Sequence, residues 1–191
     1  TDEAFTQFDG ITYGKGAAVM KQLSYFVVEK NFQKGLQNYF KKYAYKNTVV
    51  DDFITEIALA SQQDLTKWSK LWLNEATPDV LKTTFECENG NLKSVRAELT
   101  NARNTSVRPH LLQFAMLALN DNKLTVLNAQ TAVVNKLEQF IPVDNQSKCP
   151  EATIPNYGDY AYVKMALDAK TLKSIQDNFS KIENIHLRMM L

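Results

Sequence analysis

Apolar positions recur every three or four residues over roughly the first 77 positions, then alternate every second residue from about Leu81 onward. The first spacing is that of helices packed on one face, and the second that of half-buried strands. A first helix is predicted from about Ile11 to Val28, with Ala17, Met20, Leu23 and Val27 on one side. A second follows Asn31, taken as its N-cap, and carries Phe32, Leu36, Tyr39, Phe40 and Tyr43 before Asn47-Thr48 breaks it. A third follows Asp51 or Asp52 with Phe53, Ile54, Ile57 and Ala58, and a fourth runs from near Asp64 with Leu65, Trp68, Leu71 and Trp72 until Pro78. Short connections make antiparallel neighbours of these helices.

In the second half, Thr83, Phe85 and Cys87 alternate with Thr84 and Glu86, and Asn89-Gly90 signals a hairpin into Val95, Ala97 and Leu99. Leu111 to Leu119 is almost continuously apolar, as a central strand is, and Asp121-Asn122 turns the chain into Lys123–Leu127. Further strands are expected at Ala132–Val134, Glu138–Pro142 and Tyr160–Leu167, and a helix at about Ala169–Ile182 with Leu172, Ile175 and Phe179 at helical steps. The fold class is therefore α+β in two parts: an N-terminal helical subdomain, then an antiparallel β-sandwich and a C-terminal helix. The divisions fall at 1–77, 78–168 and 169–191.

Composition narrows the chemistry. In 191 residues, 22 Lys+Arg against 21 Asp+Glu leave a net charge of +1, so no whole-chain field draws nucleic acid or an anionic membrane, and neither partner is expected. No apolar run approaches the roughly 18–20 residues of a membrane span. The two cysteines, Cys87 and Cys149, are too few for a disulfide scaffold, and composition leaves open whether they pair or stay reduced. Only two histidines occur, His110 and His186, and there is no Cys-x-x-Cys, no His-Glu-x-x-His, no Gly-x-Ser-x-Gly and no P-loop. This chain is expected to bind no metal of its own, and His110, after Arg108-Pro109 at a strand start, reads as a structural residue. The apolar, uncapped ending Ile185 to Leu191 and the opening without Met read as those of a piece cut from a longer protein.

One stretch concentrates unusual residues: Phe8-Asp9-Gly10-Ile11-Thr12-Tyr13-Gly14-Lys15-Gly16. Glycine costs about 1 kcal/mol relative to alanine inside a helix, so Gly14 and Gly16 point to a close approach of backbone or ligand, or to a tolerated packing contact. Helix N-termini offer free N–H groups and the positive end of the dipole. A phenol placed there, Tyr13, can donate a hydrogen bond to an oxyanion; the alternative is a packing tyrosine.

The segment Phe-Asp-Gly-Ile-Thr-Tyr-Gly-Lys-Gly-Ala resembles the catalytic-tyrosine segment of zinc aminopeptidases of the aminopeptidase N family, the gluzincins. The likeness continues through Phe32, Gly35-Leu36, Tyr39-Phe40, Tyr43-Ala44 and Asn47-Thr48, and through Trp68 and Trp72-Leu73, which resemble the helix closing the catalytic domain. Arg108-Pro109-His110 and Asp159-Tyr160-Ala161-Tyr162-Val163-Lys164 resemble the β-sandwich that follows in bacterial members, and Arg188 the start of their C-terminal helical domain. The resemblance implies that 1–77 is the helical end of a catalytic domain, 78–168 the sandwich domain and 169–191 the opening of the C-terminal domain.

It also implies roles. Tyr13 stabilises the tetrahedral oxyanion, and Phe8 lines the pocket for the substrate's first side chain. Zinc serves the intact parent, held by residues upstream of Thr1 together with the general base and the amine-binding motif. The parent then hydrolyses peptides with a free N-terminus, in the bacterial cytoplasm, while this chain alone is inactive. Separated from the missing N-terminal and catalytic-core domains, it is expected to self-associate through stranded groups, Phe8, Ile11 and Tyr13 at one end and Leu187, Met189 and Leu191 at the other. The competing reading is a non-catalytic helical and β-sandwich interaction module or an inactive relative. A family member with a second activity on lipid epoxides is a weaker alternative, because its organisation after Tyr162 differs.

Overall fold

The computed structural model describes residues 11–75, 77–101, 107–144 and 147–191, the side chains of Ile11 and Thr12 excepted. The chain divides into two units, Thr1–Ala76 and Thr77–Leu191.

In the first unit a π-helical turn, Ile11–Lys15, leads directly into α1, Gly16–Phe26. Helix α2 spans Glu29–Tyr43, α3 Val50–Ser61 and α4 Thr66–Ser69, the last continuing as a second π-helical turn over Lys70–Asn74. Val19, Leu23, Val27, Ile54, Ile57, Leu65, Trp68 and Trp72 form one buried cluster with Phe32 and Leu36 partly buried against it, whereas Phe40, on the predicted α2 stripe, is 65% exposed. The indoles of Trp68 and Trp72 stack with centroids 5.8 Å apart.

Two helix starts differ from the sequence expectation. Asn31 lies inside α2, and its side-chain Nδ2 donates to the Val27 carbonyl at 2.8 Å, so it caps the end of α1 instead of the start of α2. The break between the helices falls at Val28, whose φ of 70° is rare for a β-branched residue. Helix α3 begins ahead of its acids, and the Val49 N–H donates to Asp52 Oδ2 at 3.0 Å, an acid in the first turn satisfying an orphan donor.

Gly35 is where α2 and α3 touch. A Cβ there would sit 2.6 Å from Ile57 Cδ1, 2.9 Å from Ile57 Cα and 3.2 Å from the Glu56 carbonyl oxygen. Close approach is thus a property of Gly35, while at Gly14 and Gly16 a Cβ would meet no described atom within 4 Å.

The second unit is a sandwich of two sheets followed by helix. Strands β1 (Asp79–Glu88), β2 (Asn91–Thr100), β5 (Glu138–Ile141) and β7 (Val163–Leu167) form one sheet in the order β5-β2-β1-β7. Strands β3 (His110–Asn120), β4 (Lys123–Val134) and β6 (Ala152–Ile154) form the other in the order β4-β3-β6. The hairpin at Asn89-Gly90 has positive φ at both residues, 52° and 81°, and that at Asp121-Asn122 does too, 48° and 62°. Two successive positive φ values are what a tight two-residue hairpin turn needs. Strand β3 is central in its sheet, as its continuous apolar run requires.

The pairing is antiparallel except at β1–β7, which is parallel, with Asp79 opposite Val163. The first sheet is therefore mixed, not antiparallel throughout. Ala132–Val134 is the end of the 12-residue β4, not a separate strand. Strand β7 starts at Val163 because Asn156 closes a loop onto Ala161 first, its Nδ2 donating to the Ala161 carbonyl at 2.9 Å and its Oδ1 accepting from the Ala161 N–H at 2.8 Å. Helix α5, Ala169–Asn178, is capped by Asp168, which accepts from the N–H groups of Lys170 and Thr171. A 3₁₀ turn at Phe179–Lys181 and helix α6, Ile185–Met190, complete the unit. No helix among the described residues is long and apolar enough to cross a membrane.

Candidate functional site

Tyr13 sits in the middle of the first π-helical turn with 64% of its surface exposed. Single π-turns are rare and occur often at functional sites, because the wider i→i+5 loop re-aims side chains. The turn is held from both sides. Downstream, α1 is fixed by Val19, Leu23 and Val27, all buried. At the turn itself, the Lys15 ammonium donates to the Glu75 carbonyl at 3.4 Å, linking it to the end of the second π-turn. This bond spans 60 residues, so no local pattern could reveal it. The result is an exposed phenol on an anchored turn, with no described atom within 4 Å of where a Cβ would sit at Gly14 or Gly16. Phe8, the second expected site residue, lies outside the described residues.

The fit to a metal can be tested on the donors. Among the described residues no group of three His, Cys, Asp or Glu side chains converges. His186 is exposed on α6, and His110 is committed elsewhere. These residues do not fit a zinc site.

His110 belongs to a buried polar cluster in the sandwich unit. Asp79 and His110 have no exposed surface and Arg108 has 5%. Arg108 Nη1 donates to Asp79 Oδ1 at 2.9 Å, and the Arg108 backbone N–H donates to Oδ2 at 3.1 Å. His110 Nε2 lies 2.9 Å from the same Oδ2 and donates to it, since a carboxylate only accepts. Asp79 opens β1 in one sheet and His110 opens β3 in the other, so the cluster ties the two sheets together at one end. Burial lowers the His110 imidazole below its ordinary range and outweighs the opposing pull of Asp79, so the ring is neutral. Burial pushes the Asp79 carboxyl up, but hydrogen bonding to His110 and the N–H and charge of Arg108 hold it below the usual carboxylate range. The arrangement is a neutral imidazole and a paired anion and cation, a clamp between sheets. Its histidine was legible as structural in sequence; its aspartate, 31 residues earlier, carried no signal.

Residues 1–72 match the Peptidase family M1 domain. The chain is 32% identical over 186 residues to Aminopeptidase N of Streptomyces lividans, a match covering 93% of this chain and 22% of that protein. It is 24% identical over 189 residues to the Tricorn protease-interacting factor F2 of Thermoplasma volcanium, covering 96% of this chain and 21% of the relative. Its fold is similar to that of Legionella pneumophila aminopeptidase A, solved in complex with aspartic acid, with a TM-score of 0.71 at 18% identity over 92% of this chain and 20% of the other. The chain thus spans about a fifth of the length of the relatives it matches. With the helical unit matching the family's domain and the likeness to Aminopeptidase N running on through the sandwich, this chain belongs to peptidase family M1.

Proposed function

We propose that the intact protein is a zinc-dependent aminopeptidase that removes N-terminal residues from peptides, with Tyr13 donating its phenolic hydrogen to the scissile carbonyl oxygen in the transition state. The observation that carries this reading is the exposed phenol on an anchored π-turn, within the stretch that matches the M1 domain. A carbonyl under attack gains negative charge on oxygen, and a donor fixed in advance stabilises that charge more than it stabilises the neutral ground state. The anchoring by Lys15 and by the buried face of α1 supplies the fixity. Phe8 is proposed to line the pocket for the first side chain. Zinc, when bound, supplies Lewis-acid polarisation and an activated water. The described residues offer no ligand set for it, so no step through the metal is assigned to them, and the 191-residue chain alone is proposed to be inactive.

The test is Tyr13→Phe in the intact protein. Turnover should fall by about 10²–10³-fold, the usual cost of one oxyanion donor, while KM, zinc content and melting temperature stay near wild type because the ring is kept. Turnover within about threefold of wild type, only ~0.7 kcal/mol, would make Tyr13 a packing residue.

A further inference from the structure

Cys87, near the end of β1, and Cys149, just before β6, are joined in a disulfide with Cα atoms 5.7 Å apart and a sequence separation of 62. We infer that this protein is oxidised at Cys87 and Cys149 as it folds and works in an oxidising compartment, where the bond staples the segment between β5 and β6 onto the β1–β2 hairpin.

Three observations carry this. First, backbone pairing brings the sulfurs together independently of the bond. The Cys149 N–H donates to the Gly90 carbonyl at 2.9 Å, the Leu92 N–H donates to the Ser147 carbonyl at 2.9 Å, and Asn91 and Lys148 form an antiparallel bridge. Second, both half-cystines pack against the sandwich core. Cys87 continues the inward parity of Leu81, Thr83 and Phe85, and Cys149 closes on it from the loop side with Val143. Third, neither sulfur has another use among the described residues. No metal-binding group of three includes them, and their separation is not that of a Cys-x-x-Cys redox pair. Disulfides of this structural kind persist in oxidising compartments and are rare where glutathione and thioredoxin keep thiols reduced. The inference therefore stands against the cytoplasmic placement expected from sequence.

The chemistry balances with an oxidised dithiol carrier as the co-reactant. One cysteine thiolate attacks the carrier's disulfide and forms a mixed disulfide. The second thiolate then displaces the carrier, which leaves with two thiols and two electrons. Cys149 lines a cleft of about 390 Å³ beside α5.

The test takes the intact protein from its own cells, with free thiols alkylated before lysis, followed by non-reducing peptide mapping. The expected result is a Cys87–Cys149 linked peptide, with alkylation at both sites only after added reductant. Both cysteines alkylated without reduction would overturn the inference. A second arm compares this chain made in a reducing cytosol with the same chain oxidised by a glutathione redox buffer. Oxidation should remove both free thiols and raise the Tm of the sandwich unit by about 15 °C, scaled from loop length and unit size. A Tm change below about 2 °C would overturn the staple.

Discussion

Replacing Gly35 with alanine sets two effects of known sign against each other. Alanine is favoured over glycine in a helix interior by about 1 kcal/mol, and Gly35 lies mid-helix in α2. Against that, the new methyl would sit 2.6 Å from Ile57 Cδ1 and 2.9 Å from Ile57 Cα. The first contact can be relieved by turning the isoleucine off its rotamer, at about 0.5–1.5 kcal/mol. The second cannot, because a backbone atom of α3 must move and carries its helix with it. Overpacking of this kind costs about 1–3 kcal/mol. The net expectation is a loss of about 1–2 kcal/mol once the propensity gain is subtracted. Urea unfolding followed by tryptophan fluorescence isolates the effect, since both tryptophans, Trp68 and Trp72, are buried in the helical unit. The midpoint should fall by about 0.5–1 M at a slope of about 2 kcal/mol per molar. Gly16→Ala is the matched control: its Cβ meets no described atom, so the same chemical change should be neutral or stabilise by up to about 1 kcal/mol. A Gly35→Ala chain as stable as wild type would refute the close-approach argument.

The remaining expectations concern the clamp and the exposed surface. Asp79→Asn leaves the buried Arg108 guanidinium without its counter-charge and should cost about 3–5 kcal/mol, read as loss of β-sheet circular dichroism at lower denaturant; a cost under 1 kcal/mol would show that the pair is not buried as described. Acid should destabilise the sandwich in two stages. His110, lowered by burial, contributes stability that is full above about pH 6.5, its unfolded value, and is lost as pH falls toward its folded one. Asp79, also lowered, contributes above its unfolded 3.8 and loses it only below that pH. Melting curves from pH 8 to 3 should show the first decline beginning near pH 6.5, and a Tm flat to pH 4 would contradict the neutral buried imidazole. The isolated chain should self-associate, because Tyr13, Phe40, Tyr45, Val49, Val50 and Leu59 of the helical unit are each at least 59% exposed. Sedimentation showing a strict monomer would count against it. Leu187, also expected among the stranded groups, is buried at 2% exposure, whereas Met189 is 81% exposed; Phe8 and the Ile11 side chain lie outside the described residues.

The sequence by itself determined the elements whose cause is local. Period and parity decided the helices around Leu23, Ile57 and Trp68 and the alternation through Leu81, Thr83 and Phe85. The turn chemistry of Asn89-Gly90 and Asp121-Asn122 decided the hairpins, because few residue pairs tolerate two successive positive φ values. The motif around Tyr13 marked the candidate site, since a segment whose geometry is one turn is contiguous in sequence. What only the tertiary structure decided depends on groups distant in sequence. The parallel pairing of β7 with β1, the three-residue β6 and the partner of Cys87 are set by which edges and sulfurs meet after folding. Period-two patterning is the same for parallel and antiparallel neighbours, and three buried residues are too few to show a period. Asn31 is ambiguous in sequence for a similar reason: an amide can cap either the helix it enters or the one just ended, and the positive φ at Val28 selects the latter. Gly35 and Asp79 looked ordinary in sequence, because the demands on them come from Ile57, Arg108 and His110, which only the folded chain sets beside them.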